Sequence, residues 1–257
     1  MEENKSTIIN KDHTDLILNV FEIIESKCNS FIKHELEDYD SKYASIKSII
    51  KHDNPAFNYV VLSEDTALEL GPPKFTSLSC VLFTNQNNTV KDGIWIKGTD
   101  FPNTKKQAIS FAQIIMLELD KDSDATNPKI QTLKYLSNKI PGYMPRNIPG
   151  KIWVRIHKNL IDKGFSLVEL GSALISEYKK HIKNIKSISI ILISDEPDCI
   201  KKFEDINLKA NKIYEENIRS KLDSIGAISC DSLNCTSCDE KIYCDTIKSI
   251  ALKKGKK

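Results

Sequence analysis

Four cysteines crowd the C-terminal part of this chain: Cys230, Cys235, Cys238 and Cys244, spaced C-x4-C-x2-C-x5-C. A C-x-x-C turn brings two soft thiolates to one metal, and the flanking pair can complete four ligands without a large loop-closure cost. Zinc and a [4Fe–4S] cluster both accept that donor set. Zinc sites usually pair two C-x-x-C knuckles, whereas this run contains one, so the compact irregular spacing favours iron–sulfur, with zinc as the alternative. Against the reading of four free thiols stands the rarity of crowded, idle cysteines in a reducing compartment. The remaining cysteines, Cys28, Cys80 and Cys199, lie among apolar neighbours and read as small core residues.

Other chemistry is sparse. Neither a Gly-rich phosphate loop nor a dinucleotide fingerprint occurs, and there is no G-x-S-x-G elbow and no H-E-x-x-H pair. The five histidines are scattered, which argues against a His-rich metal site. Asp195-Glu196 follows an apolar run, at a strand end where open α/β sheets bind ligands. The plainer reading, acids stabilising the start of a helix at Pro197, is favoured.

The elements that would position these residues follow from periodicity. Residues 1–12 read as frayed, and helical spacing from Asp15 to about Ile50 predicts two helices parted near Asp38–Asp40. Phe57–Leu62, Leu78–Phe83, Ile94–Lys97 and the strongly apolar Ile109–Leu119 read as strands, with turns at Gly71-Pro72-Pro73, Asn85–Asn88 and Lys91–Gly93. A short helix is expected over Pro128–Ile140, and Pro141-Gly142, Pro145 and Pro149-Gly150 read as chain breaks. Lys151–Ile156, Ser166–His181 and Ile188–Ile193 form a strand, helix and strand, which predicts a crossover with at least partly parallel pairing. A helix from about Pro197 to Leu222 comes next. The expected fold is α/β: a mixed, partly parallel sheet with flanking helices. It divides into a helical segment (1–56), an α/β domain (57–222) and a Cys-rich metal-binding tail (223–257).

The 257 residues are 40% hydrophobic and 28% charged, with net charge +2, so the chain is globular and has no general attraction for nucleic acid or anionic lipid. No run reaches the ~20 apolar residues of a membrane span, and the polar N-terminus lacks a signal-peptide core. A cytoplasmic location is expected.

Several motifs in order resemble one family. Glu69-Leu70-Gly71-Pro72-Pro73-Lys74 stands where that family has E-L-G-G-P-K. Asp92-Gly93 and Gly98-Thr99-Asp100 stand where it has D-G and G-P-D. Ile152-Trp153-Val154-Arg155-Ile156 resembles I-W-I-R-I; Lys163-Gly164, Leu170-Gly171 and Ile193-Ser194-Asp195-Glu196 resemble K-G, I-G and I-T-D-E. The family is the acetyl-CoA synthase (beta) subunit of the carbon monoxide dehydrogenase/acetyl-CoA synthase complex. The resemblance covers its middle α/β domain, from about Glu69 to Leu222, and reaches its cluster region, where Cys235-Thr236-Ser237-Cys238 fits C-T-x-C. It implies coenzyme A binding by the middle domain, with Trp153, Arg155 and Arg146 as candidates here. A guanidinium recognises phosphate through two hydrogen bonds. An indole in a strand is, however, more often core than ligand contact.

The family's nickel-binding Cys-Gly-Cys has no counterpart in this sequence, so the expectation is an accessory or non-catalytic iron–sulfur protein. Its task would be electron transfer, docking of a protein partner, or binding of a coenzyme A-type ligand. The rival readings are a stand-alone cluster-dependent enzyme and a structural zinc module at a protein interface.

Overall fold

The computed structural model describes residues 3–28, 30–36, 39–41, 44, 67–120, 133–140, 142–148 and 150–225. The expected strand Phe57–Leu62 and all four clustered cysteines lie outside them. Two compact units divide the chain, Met1–Asn211 and Lys212–Lys257. Every described strand belongs to the first.

The chain begins with helix α1 (Glu3–Glu22), which runs on into a π turn (Ile23–Lys27). A short strand β1 (Ile32–His34) comes next, where the sequence predicts that helical spacing continues. The wide turn ends the helix, and an antiparallel partner, β4 (Gly93–Gly98), takes the backbone hydrogen bonds instead. Strands β2 (Ala67–Leu70) and β3 (Ser77–Thr84) flank the Gly71-Pro72-Pro73 turn; β5 (Ala108–Ile109) and β6 (Phe111–Leu119) come after β4.

Nine strands form two sheets among the described residues. The five-stranded sheet has the order β1-β4-β9-β6-β3, with β9 spanning Ile185–Ser194. Its β4–β9 and β3–β6 pairs are parallel, and its β6–β9 pair is antiparallel. The four-stranded sheet has the order β5-β2-β8-β7, with β7 at Tyr143–Ile148 and β8 at Lys151–His157. The fold is thus mixed α/β with partly parallel sheets, as expected, but the crossover is not. β8 and β9 belong to different sheets. β8 alternates buried Ile152, Val154 and Ile156 with outward residues, which suits a sheet open on one face. Ile188–Ser194 of β9 is buried throughout, which suits a central strand covered on both sides.

Pro145 is a second departure from expectation. It does not break the chain but sits within β7, the edge strand of its sheet, where a residue without an N–H is tolerated. The helix expected before it is a 3-10 helix over Leu133–Lys139.

A short helix α2 (Lys158–Asp162) leads to α3 (Leu167–His181), whose N-cap Ser166 accepts from the N–H groups of Val168 and Glu169. Leu167, Leu170, Leu174 and Tyr178 face a core shared with Leu70, Val154 and Ile156 of the small sheet and Ile94, Phe111 and Ile190 of the large one. The other face of the large sheet meets α1, which packs on β3, and α4 (Pro197–Lys201), which packs on β3, β6 and β9. The long helix expected from Pro197 is interrupted at Lys202–Phe203 before α5 (Glu204–Ile225). No helix among the described residues is long and apolar enough to cross a membrane.

Candidate ligand-binding face

The small sheet has one buried face and one open face. Along β8 the open face carries Lys151, Trp153, Arg155 and His157, because alternate strand residues point the same way. Register then selects the neighbours: Arg146 of β7 lies opposite Trp153, and Met144 of β7 and Glu69 of β2 lie on either side of Arg155. A tight connection holds the β7–β8 hairpin in place. Gly150, at φ +71°, offers its carbonyl to the N–H of Ser79 at 3.2 Å and to Asn207 Nδ2 at 2.7 Å.

Pairing brings Trp153, Arg155 and Arg146 together. The Arg146 Cζ lies 4.8 Å and the Arg155 Cζ 5.3 Å from the centre of the Trp153 ring. Both distances fall within cation–π range, about 0.5–1 kcal/mol each for a partly solvated pair. Arg155 Nε donates to Glu69 Oε1 at 2.6 Å, in a pair whose side chains are 18% and 15% exposed. That carboxylate fixes the Arg155 plane beside the indole. Among the described residues the patch brings two guanidiniums, Arg146 and Arg155, beside the Glu69 carboxylate. Trp153 is half-buried rather than core, and its Nε1 has no hydrogen-bond partner among the described residues. The arrangement gathers two guanidiniums around one indole and leaves Arg146 exposed, which suits an anionic ligand.

The other sequence candidates resolve differently. Asp195 lies just before α4 with φ +57°, and its carboxylate bonds Lys106 Nζ at 2.6 Å. The plainer reading of Asp195-Glu196, an acidic lead-in to a helix at Pro197, agrees with this placement. His157 Nδ1 accepts from the N–H of Asn159 at 3.1 Å and caps α2. Cys28, Cys80 and Cys199 are all buried, as expected. Burial alone pushes the Cys80 thiol up to about 12. No group of three or more His, Cys, Asp or Glu able to hold a metal occurs among the described residues, which exclude Cys230, Cys235, Cys238 and Cys244.

Two features escape a reading of the sequence. The facing of Arg146 with Trp153 depends on β7, which its proline disguises. Glu69 reads only as part of a turn motif, although charged residues at Glu69 and Arg155 suggest a cross-strand pair once the register is known.

Comparison with known proteins decides the relationship. The family model for the CO dehydrogenase/acetyl-CoA synthase complex beta subunit matches residues 55–199, more than half of the chain. The chain belongs to that family. Among its relatives, the acetyl-CoA decarbonylase/synthase complex subunit beta of Archaeoglobus fulgidus is 28% identical over 178 residues, 68% of this chain and 33% of that protein. Subunit beta 1 of Methanocaldococcus jannaschii is 27% identical over 158 residues, 61% of this chain and 20% of that protein. The counterpart from Methanopyrus kandleri is 26% identical over 161 residues, 61% of this chain and 33% of that protein. The chain therefore spans a fifth to a third of the length of these relatives.

Several of the family-like motif residues have structural roles. A Cβ on Gly71, at φ +62°, would meet the Ile152 carbonyl oxygen at 2.5 Å, and one on Gly98 would meet the Ser194 carbonyl oxygen at 1.8 Å. Each allows two backbones to approach as no other residue could. Asp100 Oδ1 accepts from the N–H groups of Phe101 and Leu167, both at 2.8 Å, and so joins the end of β4 to the start of α3. Trp153 and Arg155, with Glu69 beside them, are motif residues that instead lie on the outward face of the small sheet.

Proposed function

We propose that this chain is a binding domain that takes up a phosphorylated, coenzyme A-type ligand on the open face of its four-stranded sheet. The observation that carries the reading is the Arg146–Trp153–Arg155 stack. Guanidiniums gathered around one indole can hold a ligand's phosphates by charge-assisted hydrogen bonds. The relatives are named as subunits of a complex, which supports an accessory place for this chain beside a protein partner.

The same reading assigns a [4Fe–4S] cluster to Cys230, Cys235, Cys238 and Cys244. Four thiolates are the ordinary donor set for that group, which would supply one-electron transfer when bound. Anaerobically purified protein should contain iron and sulfide at about four each per chain, as the cluster formula requires. Stoichiometric zinc without iron would replace the cluster with a structural zinc site.

Calorimetric titration with coenzyme A tests the binding proposal. Arg146→Ala is the cleanest variant, since Arg146 is exposed and its removal leaves the Arg155–Glu69 pair in place. Loss of a charged hydrogen bond predicts weakening by about 1–3 kcal/mol, roughly five- to 150-fold in Kd. Absence of heat at millimolar ligand with the wild-type chain rejects the proposal.

A further inference from the structure

Cys28 and Cys199 are 171 residues apart in sequence, yet their sulfurs approach to 2.7 Å. Both side chains are buried, at 3% and 4% exposure. Local backbone of an unusual kind delivers the first of them. The π turn closes with the Cys28 N–H donating to the Ile23 carbonyl at 2.9 Å, and Ser30, two residues on, holds a left-handed φ of +79°. Cys199 comes from α4, shortly after the long central strand β9. Two ammonium groups border the approach: Lys202 Nζ donates to the Lys27 carbonyl, and Lys97 Nζ to Ser30 Oγ at 3.0 Å.

We propose that Cys28 and Cys199 are a disulfide-forming pair, whose oxidation ties the N-terminal helical segment covalently to the family domain. The 2.7 Å separation is already shorter than the ~3.5–4.0 Å at which unbonded carbon atoms rest. A disulfide needs ~2.05 Å, so the sulfurs must close by about 0.6 Å. The segment they would fasten packs through α1 on β3, pairs β1 with β4, and contacts the rest of the fold through polar links such as Thr14 with Thr84 and Lys91 with Glu25, none of them covalent. Cys28 precedes the family match at residues 55–199, and Cys199 is its last residue, so the bond would link the family domain to sequence outside it.

The chemistry balances with a small-molecule disulfide as oxidant. The Cys28 thiolate attacks one sulfur of that disulfide and releases one thiol, leaving a mixed disulfide. The Cys199 thiolate then displaces the second thiol and closes the protein bond. Two protons leave the cysteines, and two electrons reduce the small disulfide to two thiols. Burial holds the Cys199 thiol up at about 12, reinforced by its hydrogen bond and charge interaction with Cys28 and opposed by Lys97 and Lys202. Cys199 is therefore protonated while seated, and reaction proceeds through opening of the N-terminal segment.

The test is incubation of the reduced full chain with excess oxidised glutathione, then denaturation, alkylation, proteolysis and peptide mass mapping. The expected product is a Cys28–Cys199 linked peptide, two hydrogens lighter than its separate halves. Oxidation should raise the unfolding midpoint by about 5–15 °C, and a reductant should reverse the rise. Cys80→Ser should leave both results intact, while Cys28→Ser and Cys199→Ser each abolish them. The wild-type comparison of oxidised and reduced forms stands even if a variant fails to fold. Separate alkylation of Cys28 and Cys199 after treatment, or linkage of either to another cysteine, overturns the proposal.

Discussion

The two sheets of this molecule treat their faces in opposite ways. In the five-stranded sheet, β6 is buried at every position from Phe111 to Leu119, and β9 is buried from Ile188 to Ser194. In the four-stranded sheet, β8 buries only alternate residues and turns Trp153 and Arg155 outward. The first sheet has little left to offer a ligand because both faces of its central strands are committed to the core. The second can lose an outward side chain at small structural cost, so the open face is where this fold can carry recognition.

If that contrast holds, substitutions on the two sheets must fail in different ways. The largest effect is expected at Phe111, fully buried in β6. Phe111→Ala should destabilise the chain by about 3–5 kcal/mol in chemical denaturation, with ligand affinity of the remaining folded protein unchanged. Glu118 should come next. Its buried carboxylate accepts from the N–H groups of Asn88, Thr89 and Val90 at 3.2, 2.9 and 3.1 Å and so fixes the turn before β4. Glu118→Ala strands those donors and should cost about 2–3 kcal/mol, read by the same denaturation experiment.

A pH effect sharpens the comparison on the α1 side of the large sheet. His13 is buried against Phe83, with ring centroids 4.5 Å apart, and burial lowers its pKa from 6.5 to about 4. The unfolded chain therefore binds the extra proton first as pH falls below 6.5. This part of the stability is present near neutral pH, is lost between pH 6.5 and 4, and changes little below that. Denaturation at about pH 7 and about pH 5 should differ by about 2 kcal/mol through this residue, and His13→Phe should remove its share of the difference. The smallest stability change is expected on the open face. There Arg146→Ala should cost no more than about 1 kcal/mol, the scale of one exposed cation–π contact, while still weakening coenzyme A binding.

Legibility in the sequence follows the same division. Ile188–Ile193 and most of Ile109–Leu119 announce buried strands because a continuous apolar run has few other uses, although the second run divides at Ser110 and leaves Ile109 in β5 of the small sheet; Ser166–His181 announces its helix through periodicity. The partition into two sheets is not legible, since it depends on which faces meet in three dimensions. β1 escapes because its residues continue a helical spacing that the π turn interrupts, and β7 because Pro145 reads as a breaker unless its strand is known to be an edge. Trp153, Arg155 and Arg146 are named by the family resemblance, but their stacking needs the β7–β8 register. The meeting of Cys28 with Cys199 has no sequence signal, because a separation of 171 residues is bridged only by the finished fold.

The most direct test of the open face as a binding surface is amide hydrogen exchange resolved along the chain, with and without saturating coenzyme A. Added protection concentrated in β7 and β8, residues 143–157, with β6 and β9 unchanged and the effect lost in Arg146→Ala, is the predicted result. Protection confined to other segments, or none at a ligand concentration that calorimetry shows to be saturating, would contradict it.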